Sequence, residues 1–242
     1  MKLFVIDTET SDLDPTKGAT ILELAWMELA LFEGQTQKWM PVSCSSSYIQ
    51  YNGPISPHAQ ASHHIRADKL TAEKGAVTRD AAIDWLSKRL EPDSILVAHK
   101  YDFDSKFLPE LKNPWVCTFK SAKHIWPDAP GYGNQLLRYW LKLDVCSEDI
   151  LKVAPIVAHL QPHQALFDVA TTTCILQRML EQYDPQQLLH ITRTPLMLKS
   201  IGFGKHKGMD FNQIPRDYLQ WLRQQQNLDD DLRHTLDTLL RR

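Results

Sequence analysis

Two acidic side chains follow an apolar run at the start of the chain, where Leu3 to Ile6 leads into Asp7-Thr8-Glu9-Thr10. The run is typical of a buried strand, and because strand side chains alternate between faces, Asp7 and Glu9 point the same way. Neighbouring carboxylates repel each other, which raises the pKa of at least one of them unless a cation lies between them. Taken alone, the pattern indicates either a polar strand exit or part of a metal site.

Carboxylates also accompany two later apolar elements. The predicted strand Ser94 to Ala98 leads into a polar stretch that contains Asp104, and Asp168 lies on the predicted helix Pro162 to Tyr183. Two hard divalent cations about 3.5–4 Å apart require several carboxylate oxygens, for which the sequence offers four residues: Asp7, Glu9, Asp104 and Asp168. His163 is a candidate general base, because a histidine near such a site can take a proton from a metal-bound water at neutral pH.

The elements that must position these residues alternate between strand and helix patterns, which is typical of an α/β fold. After the first strand, Ile21 to Phe32 and Gln35 to Gln50 predict an antiparallel meander, with a turn at Glu33-Gly34-Gln35. The other predicted elements are helices at Ala76 to Leu90, Ser105 to Leu111, 119–126 and 134–142, and a short strand at Val116 to Thr118.

The domain boundary is predicted at Asp184-Pro185, which ends the helix that carries Asp168. We expect a domain over residues 1–183, a linker over 184–195 and a small α+β module over 196–242. That module contains three glycines in its turn region and a terminal amphipathic helix, Leu228 to Leu240.

Composition places the chain among globular proteins, with 242 residues of which 43% are hydrophobic and 23% charged. No apolar run approaches the ~20 residues that span a bilayer, and no signal peptide precedes the first strand, so we expect a cytoplasmic protein without a membrane partner. The net charge of −2 argues against binding nucleic acid by bulk electrostatics. Residues 193–223, however, carry six Lys or Arg side chains against only Asp210 and Asp217.

Three of these segments carry a resemblance: Asp7 to Thr10, Val97 to Leu108 around Asp104, and His163 to Asp168. In order and spacing they resemble the three motifs of the DEDDh, or DnaQ-like, superfamily of 3′→5′ exonucleases. The segment Ile55-Ser56-Pro57-His58-Ala59, with His64-Ile65, resembles the stretch between the first two motifs. The resemblance covers roughly residues 1–183.

The C-terminal residues resemble the small module of the exodeoxyribonuclease X-like branch of that superfamily, in the stretches Phe203 to Gly208 and Ile214 to Leu222. This resemblance implies a ribonuclease H-like mixed sheet flanked by helices. It also implies hydrolysis of the terminal phosphodiester at a DNA 3′ end, with release of 5′-mononucleotides, in DNA repair. The implied site holds two Mg²⁺ or Mn²⁺ ions on the four carboxylates, with His163 as the general base.

Further residues are substrate-binding candidates by position in the motifs: Thr8, Thr10, Leu13, His64 and Lys100. Leu13 either stacks on the terminal base or packs the turn, and Thr8 either offers its backbone N–H to the nucleotide or serves only the strand. Lys100 stands where the family commonly has Asn, so it either contacts a phosphate or is a surface charge. Asp102 is a second candidate for the place that the motif spacing gives to Asp104.

The basic turn from Gly204 to Gly208 lacks the spacing of a phosphate-binding P-loop. With Tyr218 and Trp221 it either contacts DNA or belongs to a small core. The motifs leave three functions open besides a DNA exonuclease: an RNA-trimming exonuclease resembling ribonuclease T, a weakly catalytic subunit that binds 3′ ends, and a proofreading partner of a polymerase.

Overall fold

A mixed sheet lies at the centre of the computed structural model, which describes residues 1–32 and 37–241. The predicted turn at Glu33-Gly34-Gln35 lies outside these residues. The strands are β1 (Leu3–Thr10), β2 (Ile21–Phe32), β3 (Lys38–Tyr48), β4 (Ile95–Ala98) and β5 (Trp115–Cys117). Their order is β3-β2-β1-β4-β5; β1, β2 and β3 are antiparallel neighbours, whereas β4 runs parallel to both β1 and β5. The predicted antiparallel meander and α/β class are therefore confirmed.

The helices flank this sheet and follow it. They are α1 (Pro57–His63), α2 (Arg79–Ser87), α3 (Tyr101–Phe107), α4 (Thr118–Ile125), α5 (Asn134–Trp140), α6 (Glu148–Val153), α7 (Ala165–Leu180), α8 (Pro185–Arg193), α9 (Arg216–Arg223) and α10 (Asp230–Leu240). In the described part of the chain, none of them is long and apolar enough to cross a bilayer.

Left-handed backbone turns shift the start of two predicted helices. The one expected at Ser105 begins earlier, at Tyr101, because the chain turns through a left-handed Lys100 directly after β4. The one expected at Pro162 begins later, at Ala165, because His163 also has a left-handed backbone, with φ 65°, which a right-handed helix cannot contain.

The core has two layers because the side chains of β1 alternate between the two faces of the sheet. Leu3 and Val5 face the large cluster that contains much of α7, whereas Phe4 and Ile6 face a second cluster with α2. This alternation continues along the strand and fixes the side of the sheet on which the acidic residues lie.

The predicted linker 184–195 consists mostly of helix α8, whose Leu188, Leu189 and Ile191 belong to the large core. The apolar face of this helix, packed near β5 and α4, is the reason that the segment is not a free connection. The C-terminal residues have a separate apolar cluster: Ile201, Phe211, Ile214, Leu219, Leu222, Leu232 and Leu236. Among the described residues after Leu196, the β structure is limited to a single bridge between Ser200 and Asp210.

Candidate active site

The first two carboxylates lie on a part of β1 that has a neighbour on one side only. Strand β4 pairs with β1 from Leu3 to Val5, whereas β2 accompanies β1 as far as Thr10. Asp7 and Glu9 therefore lie within a strand that continues past Ile6, rather than after its end as the sequence had predicted. By alternation they share the face of Leu3 and Val5, toward α7.

Asp104 reaches the same edge of the sheet from helix α3. The helix starts directly after β4, so Asp104 lies in its first turn and is buried. The Thr8 hydroxyl donates a hydrogen bond to Asp104 Oδ1 at 2.8 Å. Asp102 is exposed on the same helix, so the structure places Asp104, as the motif spacing predicted, beside the carboxylates of β1.

Asp168 and His163 come from the entrance to α7. The left-handed turn at His163 lets its backbone N–H donate to Asp168 Oδ2 at 2.8 Å, which fixes the carboxylate relative to the turn. One potential ligand atom each from Glu9, His163 and Asp168 lies within 4.8 Å of the others. The structure thus brings together the predicted base and carboxylates from three separate segments.

A fifth carboxylate, Glu23, belongs to this cluster and was not among the predicted site residues. It pairs with Glu9 across β1 and β2, and it is buried. The Ser46 hydroxyl donates to Glu23 Oε1 at 2.9 Å, and the Ala165 N–H donates to Oε2 at 3.3 Å. Glu23 therefore ties the start of α7 to the sheet. A charged residue inside the apolar run Ile21 to Phe32 was the signal that could have identified it.

Helix α5 supplies two more contacts that carried no sequence signal. Gln135 Nε2 donates to Asp168 Oδ1 at 3.0 Å, and Asn134 Nδ2 donates to the Asp168 carbonyl at 3.3 Å. Arg138 donates to Gln135 Oε1 at 3.2 Å, which orients the amide toward Asp168. Both oxygens of the Asp168 carboxylate thus have a donor.

Burial, together with the charges of neighbouring acids, raises the pKa values of these carboxyl groups. Burial, followed by the charges of Asp104 and Asp168, raises the pKa of Asp7 well above its ordinary value. Burial and the neighbouring Asp168 and Glu23 raise the pKa of Glu9 to about 9, and burial raises the pKa of Asp104 to about 7. Burial likewise raises the pKa of Asp168 and Glu23. Because the donors are carboxylate oxygens with excess negative charge, the cluster fits hard divalent cations such as Mg²⁺ or Mn²⁺.

This electrostatic arrangement makes the stability of the metal-free protein depend on pH. The folded-state pKa values exceed those of the unfolded chain, so the folded state retains protons that the unfolded chain has released. The contribution of these groups is most favourable below about pH 4 and is lost as the pH rises through about 7 for Asp104 and about 9 for Glu9. In EDTA, we therefore expect the Tm to fall between about pH 6 and pH 9, as measured by circular dichroism.

Two comparisons check this prediction. The variant Glu9→Gln lacks one of the raised acids, so its Tm should fall less steeply with pH. Addition of Mg²⁺ should raise the Tm more at about pH 9 than at about pH 6, because cations bind the ionised carboxylates. A wild-type Tm that rises across this interval in EDTA would contradict the proposed crowding.

A cleft of about 320 Å³ opens beside the carboxylates. Its lining includes the predicted substrate-binding residues Thr8, Thr10 and Leu13. Leu13 is 74% exposed at this cleft, so it is available to a ligand rather than packed inside the turn. Thr10 is buried and its hydroxyl donates to the Asp12 carbonyl, so its part in the site is to shape this turn.

The other two substrate candidates lie elsewhere. His64 is exposed at the C-terminus of α1, with a left-handed backbone, and does not line this cleft. Its neighbour His63 does line it: the Ile65 N–H donates to His63 Nδ1, which leaves Nε2 to donate to the Thr10 carbonyl at 3.2 Å. The ammonium group of Lys100 lies 5.0 Å from the ring centroid of Phe119, and Lys100 does not line the cleft beside the carboxylates.

Comparisons with known proteins find relatives in sequence and in structure. No protein-family model matches the chain. The chain is 29% identical over 229 residues to "Exodeoxyribonuclease 10" of Escherichia coli strain K12. The alignment covers 91% of this chain and 90% of that protein. A protein of the same name from Escherichia coli O6:H1 matches to the same extent.

Two solved structures share the fold. One, described as "Exonuclease X in complex with 5′ overhanging duplex DNA", has a TM-score of 0.60 and 28% identity, and the match covers 78% of this chain and 99% of that one. The other is a structure of exonuclease I, with a TM-score of 0.51 and 13% identity, matched over 78% of this chain and 42% of that one. The predicted ribonuclease H-like fold is confirmed by these matches together with the mixed sheet.

Proposed function

We propose that this chain, an exonuclease X-like member of the DEDDh superfamily, is a metal-dependent 3′→5′ exodeoxyribonuclease that releases 5′-mononucleotides. One observation carries the proposal: Asp7, Glu9, Asp104 and Asp168 converge from three segments at one edge of the sheet, with His163 beside them. An alignment over most of both chains with a protein named exodeoxyribonuclease supports DNA as the substrate.

The carboxylate cluster would hold the cations. In the proposed site, Asp7, Glu9, Asp104 and Asp168 bind two Mg²⁺ or Mn²⁺ ions. When bound, these ions supply a lowered pKa for the attacking water and charge stabilisation for the leaving oxygen. Glu23 is held by Ser46 and Ala165, so it supports the site rather than joining the set of ligands.

The protein groups position the water and move its proton. His163 lies on an exposed turn within reach of Glu9 and Asp168, and its imidazole accepts the proton of the attacking water. The terminal P–O3′ bond then breaks, the phosphate stays with the released nucleotide, and the shortened strand gains a free 3′ hydroxyl. Leu13, exposed at the adjoining cleft, contacts the terminal base through its apolar surface.

The biological setting follows from this activity. An enzyme that removes nucleotides from DNA 3′ ends fits a role in DNA repair, carried out in the cytoplasm. The proposed partner is therefore a nucleic acid with a free 3′ end, and DNA is favoured over RNA.

The direction and the sugar specificity can be tested with one set of oligonucleotides. We expect wild-type protein with Mn²⁺ to shorten a 5′-labelled deoxyoligonucleotide one nucleotide at a time, while the label stays on the shrinking product. The matched ribo-oligonucleotide should react more slowly, because the 2′ hydroxyl is what distinguishes the two substrates. Faster cleavage of RNA would indicate a ribonuclease T-like enzyme, and binding without cleavage would indicate a 3′-end-binding subunit. Co-purification with a polymerase would indicate a proofreading partner.

A further inference from the structure

A second cleft, of about 360 Å³, separates helix α4 from the C-terminal module. Phe119, Lys123 and Tyr132 line it on the side of the large domain, and Met197 and Phe203 are among the residues on the other side. Met197 is 48% exposed and Phe203 is 46% exposed. The cleft therefore offers aromatic and apolar surface to a ligand, and the acidic residues of the candidate active site do not line it.

Two lysines lie close to the ring of Phe119 on one wall of this cleft: Lys123 is part of the lining, whereas Lys100 approaches the ring from outside the lining. Lys100 Nζ lies 5.0 Å and Lys123 Nζ 4.7 Å from the centroid of the Phe119 ring. Within residues 1–32 and 37–241, neither ammonium group forms an ion pair with a carboxylate. A lysine held against a ring and free of a counter-charge is well suited to contact a phosphate.

The cleft is next to the candidate active site. His99, whose ring centroid lies 5.6 Å from that of Phe119, hydrogen-bonds the Tyr132 carbonyl at 2.8 Å. Lys100 directly precedes the helix that carries Asp104. On the other side, the segment after Tyr132 reaches Asn134, which donates to the Asp168 carbonyl. The wall of the cleft is thus linked to the carboxylate site through Lys100 and Asn134.

Two ion pairs, one largely buried and one exposed, connect the two sides of the cleft. Lys120 Nζ lies 3.1 Å from Asp231 Oδ1, with both side chains largely buried, and Lys199 pairs with Asp128. The acidic residue in the lining, Asp229, accepts a hydrogen bond from the Leu232 N–H at the start of α10 and is thereby engaged within the module. A preformed cleft requires little ordering when a ligand binds.

We propose that this cleft binds the single-stranded part of the substrate a few nucleotides before its 3′ end, with bases against Phe203 and Tyr132 and phosphates near Lys100 and Lys123. The inference rests on the proposed function and extends it. A cleft of this volume admits a base but not a duplex, and stacking on an aromatic ring accepts any base.

The test compares substrate lengths in a double variant, Phe203→Ala with Lys123→Gln. Phe203 is half exposed, so its truncation removes little core packing. For wild type, kcat/KM should be higher on a deoxyoligonucleotide of about 12 residues than on a dinucleotide, because only the longer strand reaches the cleft. In the double variant, we expect the ratio of these two values to fall about tenfold, since one lost base stack and one lost phosphate contact have that order of effect.

A matched control is Trp85→Ala with Lys74→Gln, two exposed residues outside the cleft, which should keep the wild-type ratio. Fluorescence anisotropy of the labelled longer strand in EDTA separates this inference from the catalytic proposal. Weaker binding by the cleft variant supports the inference even if no hydrolysis is found. Equal binding by wild type and cleft variant, or an equal loss of kcat/KM on both lengths, would overturn it.

Discussion

The variant Asp104→Asn is expected to lower kcat at least about 1,000-fold, because loss of a metal-binding charge removes several kcal/mol of transition-state stabilisation. The replacement has the same shape, and its amide oxygen can still accept the hydrogen bond from Thr8. In EDTA near pH 8 the variant should unfold at the same temperature as wild type or slightly higher. The pKa of the Asp104 carboxyl in the folded wild-type protein is about 7. At pH 8 the substitution therefore removes one negative charge from a cluster of carboxylates that repel one another.

The matched control for this experiment is Asp102→Asn, two residues away on the same helix. Asp102 is exposed and outside the cluster, so its replacement should change kcat only a few-fold. The pattern expected for Asp104 should recur in Asp7→Asn and Asp168→Asn. Equal activity losses at Asp102 and Asp104, or severe destabilisation by every replacement in the cluster, would indicate carboxylates that serve folding rather than catalysis.

The variant His163→Asn is expected to lower kcat by about 100- to 10,000-fold, which is the usual contribution of a general base. Asparagine is chosen because it tolerates the left-handed backbone at this position better than most residues, so the backbone hydrogen bond to Asp168 should remain. The measurement is single-turnover hydrolysis of a labelled deoxyoligonucleotide at saturating Mn²⁺.

His159→Asn is the control for this prediction, since His159 is exposed in the turn that precedes His163. We expect it to retain wild-type kcat, and we expect His163→Asn to bind Mn²⁺ about as tightly as wild type. If His163→Asn lost both metal binding and activity, the imidazole would be a metal ligand and not the base.

The sequence was most informative where short segments follow a strand. Asp7 and Glu9 could be placed on one face because the period of two along β1 is unambiguous, and Asp104 could be placed by its spacing from His99. The parallel pairing of β4 with β1, which brings those segments together, is typical of the predicted α/β class.

The contacts that orient the carboxylates could not be predicted in the same way. Gln135 and Arg138 lie far from Asp168 along the chain, and only the packing of α5 against α7 makes their amide and guanidinium groups meet the site. The left-handed turns at Lys100 and His163, which set where α3 and α7 begin, leave no mark in side-chain periodicity. Glu23 stands out in the sequence as a charged residue inside an apolar run. Its place beside the other carboxylates, however, depends on the pairing of β2 with β1, which sets Glu23 opposite Glu9.

The sequence also could not show which of His63 and His64 lines the cleft beside the carboxylates. Adjacent residues of one type are equivalent in a motif, but the left-handed end of α1 leaves His64 exposed and buries His63 against the Thr10 carbonyl. The helical character of 185–193 was likewise hidden by Asp184-Pro185. In the structure α7 already ends at Leu180, and the pair instead begins α8 with an aspartate cap.

Equilibrium binding of Mn²⁺, followed by the electron paramagnetic resonance signal of the free ion, measures whether the crowded carboxylates form a divalent-cation site. We expect about two Mn²⁺ ions per wild-type chain and at most about one for Asp7→Asn. Binding of the same number of ions by both proteins, or of none by wild type, would contradict this expectation.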